Sequence, residues 1–96
     1  MEDLLKRLRA FRDKRAWKKH HTPENLAKSI MIETAELLEH YQWQAEPADL
    51  SGVKEELADV IIYCLMLMDH YGFDLENIIK EKIKKNELKY PLKEKS

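Results

Sequence analysis

Apolar positions recur at helical spacing in four separate stretches of the chain. From Glu2 to about Lys19, Leu4, Leu5, Leu8, Phe11 and then Arg15 or Ala16 fall three or four residues apart, and basic residues fill the other faces. That pattern predicts an amphipathic first helix packed by one stripe, with Trp17 continuing its apolar side. His20-His21-Thr22-Pro23 is a break and a restart. Thr22 suits an N-cap, and Pro23 suits the first helical position because its φ is already set. The second helix is expected from Pro23 to about Tyr41, with Leu26, Ile30, Leu37 and Tyr41 as its stripe.

Gln42 to Leu50 reads as the longest irregular stretch, broken by Pro47, with Asp49 and Ser51 as caps for a third helix. Trp43 stands alone there, either as an anchor folded back on the core or as a binding platform. The third helix is expected from about Gly52 to Tyr71, stopping at Gly72. Between Val60 and Met68 it is apolar nearly all round, which predicts burial on all sides. Asp74 caps a fourth helix from Leu75 to about Lys89, with Leu75, Ile78, Ile79 and Ile83 on its stripe. Lys82, Asn86 and Lys89 share one polar face, a pattern that a solvated surface also produces. Residues 92–96 read as a loose tail.

The length of 96 residues, with only two Gly and three Pro, fits one all-α domain over 1–96, a four-helix bundle. Three other short helices cannot cover the run Val60–Met68. The third helix is therefore expected at the centre of a dimer or tetramer, with Met66 or Leu67 at the interface. A formal net charge of −1, from 17 basic and 18 acidic residues, leaves no excess to hold a nucleic-acid polymer. The longest apolar run is nine residues, far short of the roughly 18 needed to span a bilayer. Cys64 is the only cysteine and reads as a small buried hydrophobe. A cytoplasmic location is the expectation.

Two acidic pairs alter this bland picture. Glu33-Thr-Ala-Glu36 and Glu56-Leu-Ala-Asp59 each place two carboxylates one helical turn apart on the same side. Ile30-Met-Ile32 precedes the first pair and Val60-Ile-Ile62 comes after the second. Four carboxylates drawn towards an apolar interior repel one another and shift towards the protonated form. A multivalent cation removes the conflict, and an all-oxygen donor set suits Mg²⁺ or Mn²⁺ better than zinc. A carboxylate-held cation suits phosphate chemistry, and aromatic side chains can stack a base. No Gly-rich phosphate loop, His-Glu-x-x-His or paired-cysteine zinc site occurs.

Glu33-x-x-Glu36, a gap of 19 residues and Glu56-x-x-Asp59 resemble the signature of the MazG-type all-α nucleoside triphosphate pyrophosphohydrolases. Tyr41-Gln-Trp43, Asp59-Val-Ile-Ile-Tyr63 and Lys82-x-x-x-Asn86-x-x-Lys89-Tyr-Pro91 fall in the family's order. Trp17 and His21-Thr-Pro23 before Asn25 are similar to the single-domain, dCTP pyrophosphatase-like branch, and the likeness runs from about Trp17 to Pro91. The resemblance implies hydrolysis of an NTP or dNTP to the monophosphate and pyrophosphate by a metal-activated water, in nucleotide-pool housecleaning. It implies Glu33, Glu36, Glu56 and Asp59 as Mg²⁺ ligands, and Glu36 or Glu39 as the group that orients or deprotonates the water. It further implies Lys82, Asn86 and Tyr90 facing the phosphates, and Trp17, His21, Asn25, Trp43 and Tyr63 around base and sugar, some from a neighbouring subunit. Two positions depart from the pattern. Lys89 stands where many relatives have Arg, so a bidentate clamp becomes a point charge. Thr34 and Ala35 stand where some have Gly. Phosphoribosyl-ATP pyrophosphohydrolase shares the acidic helices and is the nearest alternative. A non-catalytic helical dimerisation module is the alternative of a different kind.

Overall fold

The structure, a computed structural model, describes residues 1–92. It contains α1 (Glu2–Lys14), a short 3-10 turn (Lys18–His20), α2 (Pro23–Glu39), α3 (Leu50–Tyr71) and α4 (Leu75–Lys89), and no strand among the described residues. Of the tail expected over 92–96, residues 93 onward lie outside the described residues.

Capping explains most of the boundaries. Thr22 Oγ1 accepts from the Asn25 N–H at 3.1 Å, Asp49 Oδ1 from the Ser51 N–H at 3.0 Å, and Asp74 Oδ2 from the Asn77 N–H at 3.0 Å. Gly72 ends α3 at φ 69, a left-handed conformation that a side chain disfavours.

α1 is shorter than its apolar periodicity suggests, ending at Lys14 rather than near Lys19. The Arg12 carbonyl accepts from both the Arg15 and Trp17 N–H groups, at 3.2 and 3.1 Å, and Ala16 turns the chain at φ 53. Trp17 thereby folds back edge-on to Phe11, with ring centroids 5.5 Å apart. The gain in aromatic contact offsets the left-handed alanine, a conformation that costs about 1–2 kcal/mol for a residue with a Cβ.

α2 and α3 pack along each other and form the centre of the molecule. Their core is small: Leu26, Val53, Leu65 and Met66 are buried, with Leu26 only 1% exposed. At the end of this pair next to the connecting loop, the His40 ring lies against Gly52. A Cβ on Gly52 would sit 2.6 Å from His40 Cε1, so glycine makes room for the ring.

The run Val60–Met68 is covered by its own chain on one side only, in keeping with three short neighbours being too few to cover it, and Ile61 remains 53% exposed. Two sequence expectations are corrected here. Met66, expected at an interface, belongs to the chain's own core, and Leu67 is half-buried. The four helices do not close into a bundle within one chain, because α4 buries no residue and every described residue from Ile79 onward is exposed. The result is an extended shape, with a radius of gyration of 17.0 Å against about 13 Å for a compact domain of this length.

Replacing Ala16 by glycine removes the strain at φ 53 but adds freedom to the unfolded chain. Ala16→Gly is expected to stabilise the protein by about 1 kcal/mol or less. The check is a small rise in Tm; a fall would show that the turn carries no strain.

Candidate metal and nucleotide site

Packing of α2 on α3 brings the two acidic pairs together. Glu33, Glu56 and Asp59 each present a carboxylate oxygen within 4.8 Å of the others. Glu36, the fourth member of the predicted quartet, is outside that group, but its charge acts on both Glu33 and Glu56. Burial, then the Glu36 contact and the charges of Asp59 and Glu56, push Glu33 up to about 7. Burial and the Glu36 carboxylate also raise Glu56, against a small opposing effect of His40, whose Nε2 stands 3.9 Å away. Glu39 is exposed at the end of α2 and is not among the charges acting on either group.

The cluster fits a hard cation. Glu33 Oε2 and Glu56 Oε2 are shut off from solvent and have no hydrogen-bond partner, although both residues are only half-buried overall. Orphaned anionic oxygens are costly, and a cation satisfies them. The three carboxylate oxygens, all within 4.8 Å of one another, are close enough to share one cation.

Beside the cluster lies a hollow of about 310 Å³ lined by Phe11, Trp17, His21, Ile62, Tyr63 and Met66, with Leu8, Arg12 and Asp59 completing the wall. Asp59 belongs to both, so the hollow opens onto the carboxylates. Trp17 and His21 lie 6.4 Å apart and His21 and Tyr63 6.5 Å apart, centroid to centroid. Burial raises the Tyr63 phenol, and the nearby Glu33, Asp59 and Glu36 charges add to it. Burial and then Arg12 lower His21, which favours the neutral imidazole, and its Nδ1 is buried without a partner. A second hollow of about 330 Å³ lies across the Trp17–His21–Tyr63 partition and includes Asn25. The Asn25 side-chain amide donates to the His20 carbonyl at 3.0 Å.

Other predicted residues stay apart. Trp43 is 88% exposed, so it is no core anchor, and it lines neither hollow. Lys82, Asn86 and Tyr90 are exposed on and just after α4, and none of them lines either hollow. In the sequence, Leu8, Phe11 and Arg12 stand out only as parts of an amphipathic helix. The reversal at Ala16, which turns them towards the site, leaves no mark in hydrophobic spacing.

A family model described as the MazG-like family matches residues 28–96. The chain belongs to the MazG-like family. It is 30% identical over 101 residues to dCTP pyrophosphatase 1 of Rattus norvegicus, covering 96% of this chain and 59% of that protein. The Homo sapiens protein of the same name is 30% identical over 100 residues, covering 95% and 59%. The chain therefore spans about three fifths of the length of these relatives. A crystal structure of a pyrophosphatase from Archaeoglobus fulgidus superposes with a TM-score of 0.89 at 48% identity, covering 96% of this chain and 93% of that one. In this MazG-like chain Glu33, Glu56 and Asp59 come together within a single protomer.

The raised Glu33 gives a pH dependence of known sign. Between about 4.5 and about 7 the unfolded chain loses this proton before the folded protein does. Stability of the metal-free protein is expected to fall as pH rises through that window, measured as Tm after chelation. Added Mg²⁺ or Mn²⁺ at pH 8 should raise Tm, by about 2.7 kcal/mol of stability at a hundredfold excess over Kd. Glu56→Gln should abolish that response while leaving the metal-free protein at least as stable. An undiminished metal response in the variant would show the quartet to be ordinary helix surface.

Proposed function

We propose that this chain is a nucleotide pyrophosphohydrolase, converting an NTP or dNTP and water to the monophosphate and pyrophosphate, in nucleotide-pool housecleaning in the cytoplasm. One observation carries the reading: a carboxylate cluster with two orphaned oxygens that shares Asp59 with an aromatic hollow. Phosphates and base need those two environments side by side. The names of the relatives, dCTP pyrophosphatase 1 and a pyrophosphatase, agree with it. A purely structural dimerisation module would have no use for carboxylates that repel one another.

Glu33, Glu36, Glu56 and Asp59 hold Mg²⁺, with Mn²⁺ as a substitute. The cation, when bound, neutralises phosphate oxygens and lowers the pKa of a water. Glu36 or Glu39 orients the attacking water and accepts its proton. The Glu36 charge already acts on the cluster, whereas Glu39 must be brought in by substrate or a neighbouring chain. Trp17, His21 and Tyr63 enclose base and sugar, and Asn25 stands at their outer side.

The phosphate face is supplied by association. The chain exposes 8304 Å², against about 5,800 Å² for a folded monomer of this mass. That excess is large enough for an obligate interface. Met31, Leu38, Ile61, Ile79 and Ile83 are exposed on α2, α3 and α4. Covering them in a dimer or tetramer lets α4 deliver Lys82, Asn86 and Tyr90, and the loop deliver Trp43, to a neighbouring site.

A pyrophosphate-release screen over common and modified nucleotides with Mg²⁺ tests the activity, and no release from any of them would end the proposal. Trp17→Ala should raise KM by the equivalent of about 1–3 kcal/mol, with a smaller effect on kcat. Sedimentation at micromolar concentration should show a dimer or tetramer. A fully active 11.5 kDa monomer would rule out the shared site.

A further inference from the structure

Asp59, Tyr63, Met66 and Asp69 succeed one another along α3 in steps of three and four, so they share one face. The face runs about 15 Å from the acidic cluster to Asp69. Asp69 holds two arginines of α1. It accepts from Arg9 Nε at 2.8 Å and from Arg9 Nη2, and from Arg12 Nη1 at 3.4 Å. Arg12 also donates from Nε to Asp13 at 2.9 Å. Arg12 is 8% exposed, the only buried residue of α1.

The rest of α1 is held weakly. Leu4 and Phe11 are exposed, and Leu5 and Leu8 are half-buried. Yet Phe11 is one wall of the aromatic hollow, and Trp17, the next, hangs from the Arg12 carbonyl. A guanidinium fork held by a carboxylate fixes direction as well as distance, which apolar contact alone does not. Two of the hollow's aromatic walls therefore depend on an ion pair at its far end.

We infer that Asp69, acting through Arg12 and Arg9, is a positioning residue that sets the Phe11–Trp17 wall against His21 and Tyr63 and so tunes base binding. The kinetic part of this inference rests on the nucleotide hydrolase reading; the structural part does not.

Trp43→Phe removes the other tryptophan, leaving Trp17 as the sole reporter of the wall. In that background Asp69→Asn should at least double acrylamide quenching of Trp17 fluorescence, and Asp69→Glu should restore it. In the protein with both tryptophans, Asp69→Asn should raise KM for dCTP with Mg²⁺ about tenfold. The change in kcat should stay below threefold, and Asp69→Glu should recover KM. Arg9→Gln is the milder variant should Asp69→Asn not fold, with shifts in the same direction.

Unchanged quenching would overturn the inference. So would an unchanged KM, or a loss confined to kcat in proportion to lost folded protein. If the wild-type chain releases no pyrophosphate from any nucleotide, the hydrolase reading fails instead, and the quenching comparison alone decides the positioning role.

Discussion

Repulsion among four carboxylates is the constraint around which the rest of the chain is arranged. Glu33 and Glu36 on one helix face Glu56 and Asp59 on another, close enough to push Glu33 up to about 7. Nothing in that contact favours folding without a cation. The helices are held together by the few residues that are truly buried, Leu26, Val53, Leu65 and Met66. Apolar burial of this kind has no directional preference, so it can press like charges together where polar contacts would not. The site thus sets repulsion among carboxylates against the burial of a small core.

The same small core explains why so much surface stays apolar. A single chain commits its interior to the α2–α3 pair and has little left for α4. The residues that would neutralise phosphate sit on the helix that the chain fails to bury. The clustered carboxylates and the aromatic hollow come together within one protomer, whereas Trp43, Lys82, Asn86 and Tyr90 stand apart from both.

Much of this is legible from the chain alone, and the reasons differ by residue. Thr22, Asp49, Asp74 and Gly72 act locally, through backbone groups a few residues away, and they mark helix ends as expected. The acidic pairs are legible because i, i+3 spacing fixes a shared face before any tertiary contact forms. What escapes is tertiary. Nothing in the periodicity from Leu4 to Ala16 says that Ala16 will turn the chain at positive φ and fold Trp17 onto Phe11. The apolar run on α3 reads as fully buried because hydrophobicity shows which surface seeks cover, not how much of that cover one chain supplies. Ile61 is more hydrophobic than Met66, yet it is exposed while Met66 is core.

The close fit of His40 over Gly52 acts on alignment more than on strength. It ties the last turn of α2 to the first turn of α3 below the connecting loop, not within it. Slipping α3 by one residue would rotate Glu56 and Asp59 by about 100° and scatter the cluster. With the register held at the base of the hairpin, residues 41–49 are relieved of that duty. Insertions or deletions there can change the length of the loop and the reach of Trp43 without disturbing the carboxylates.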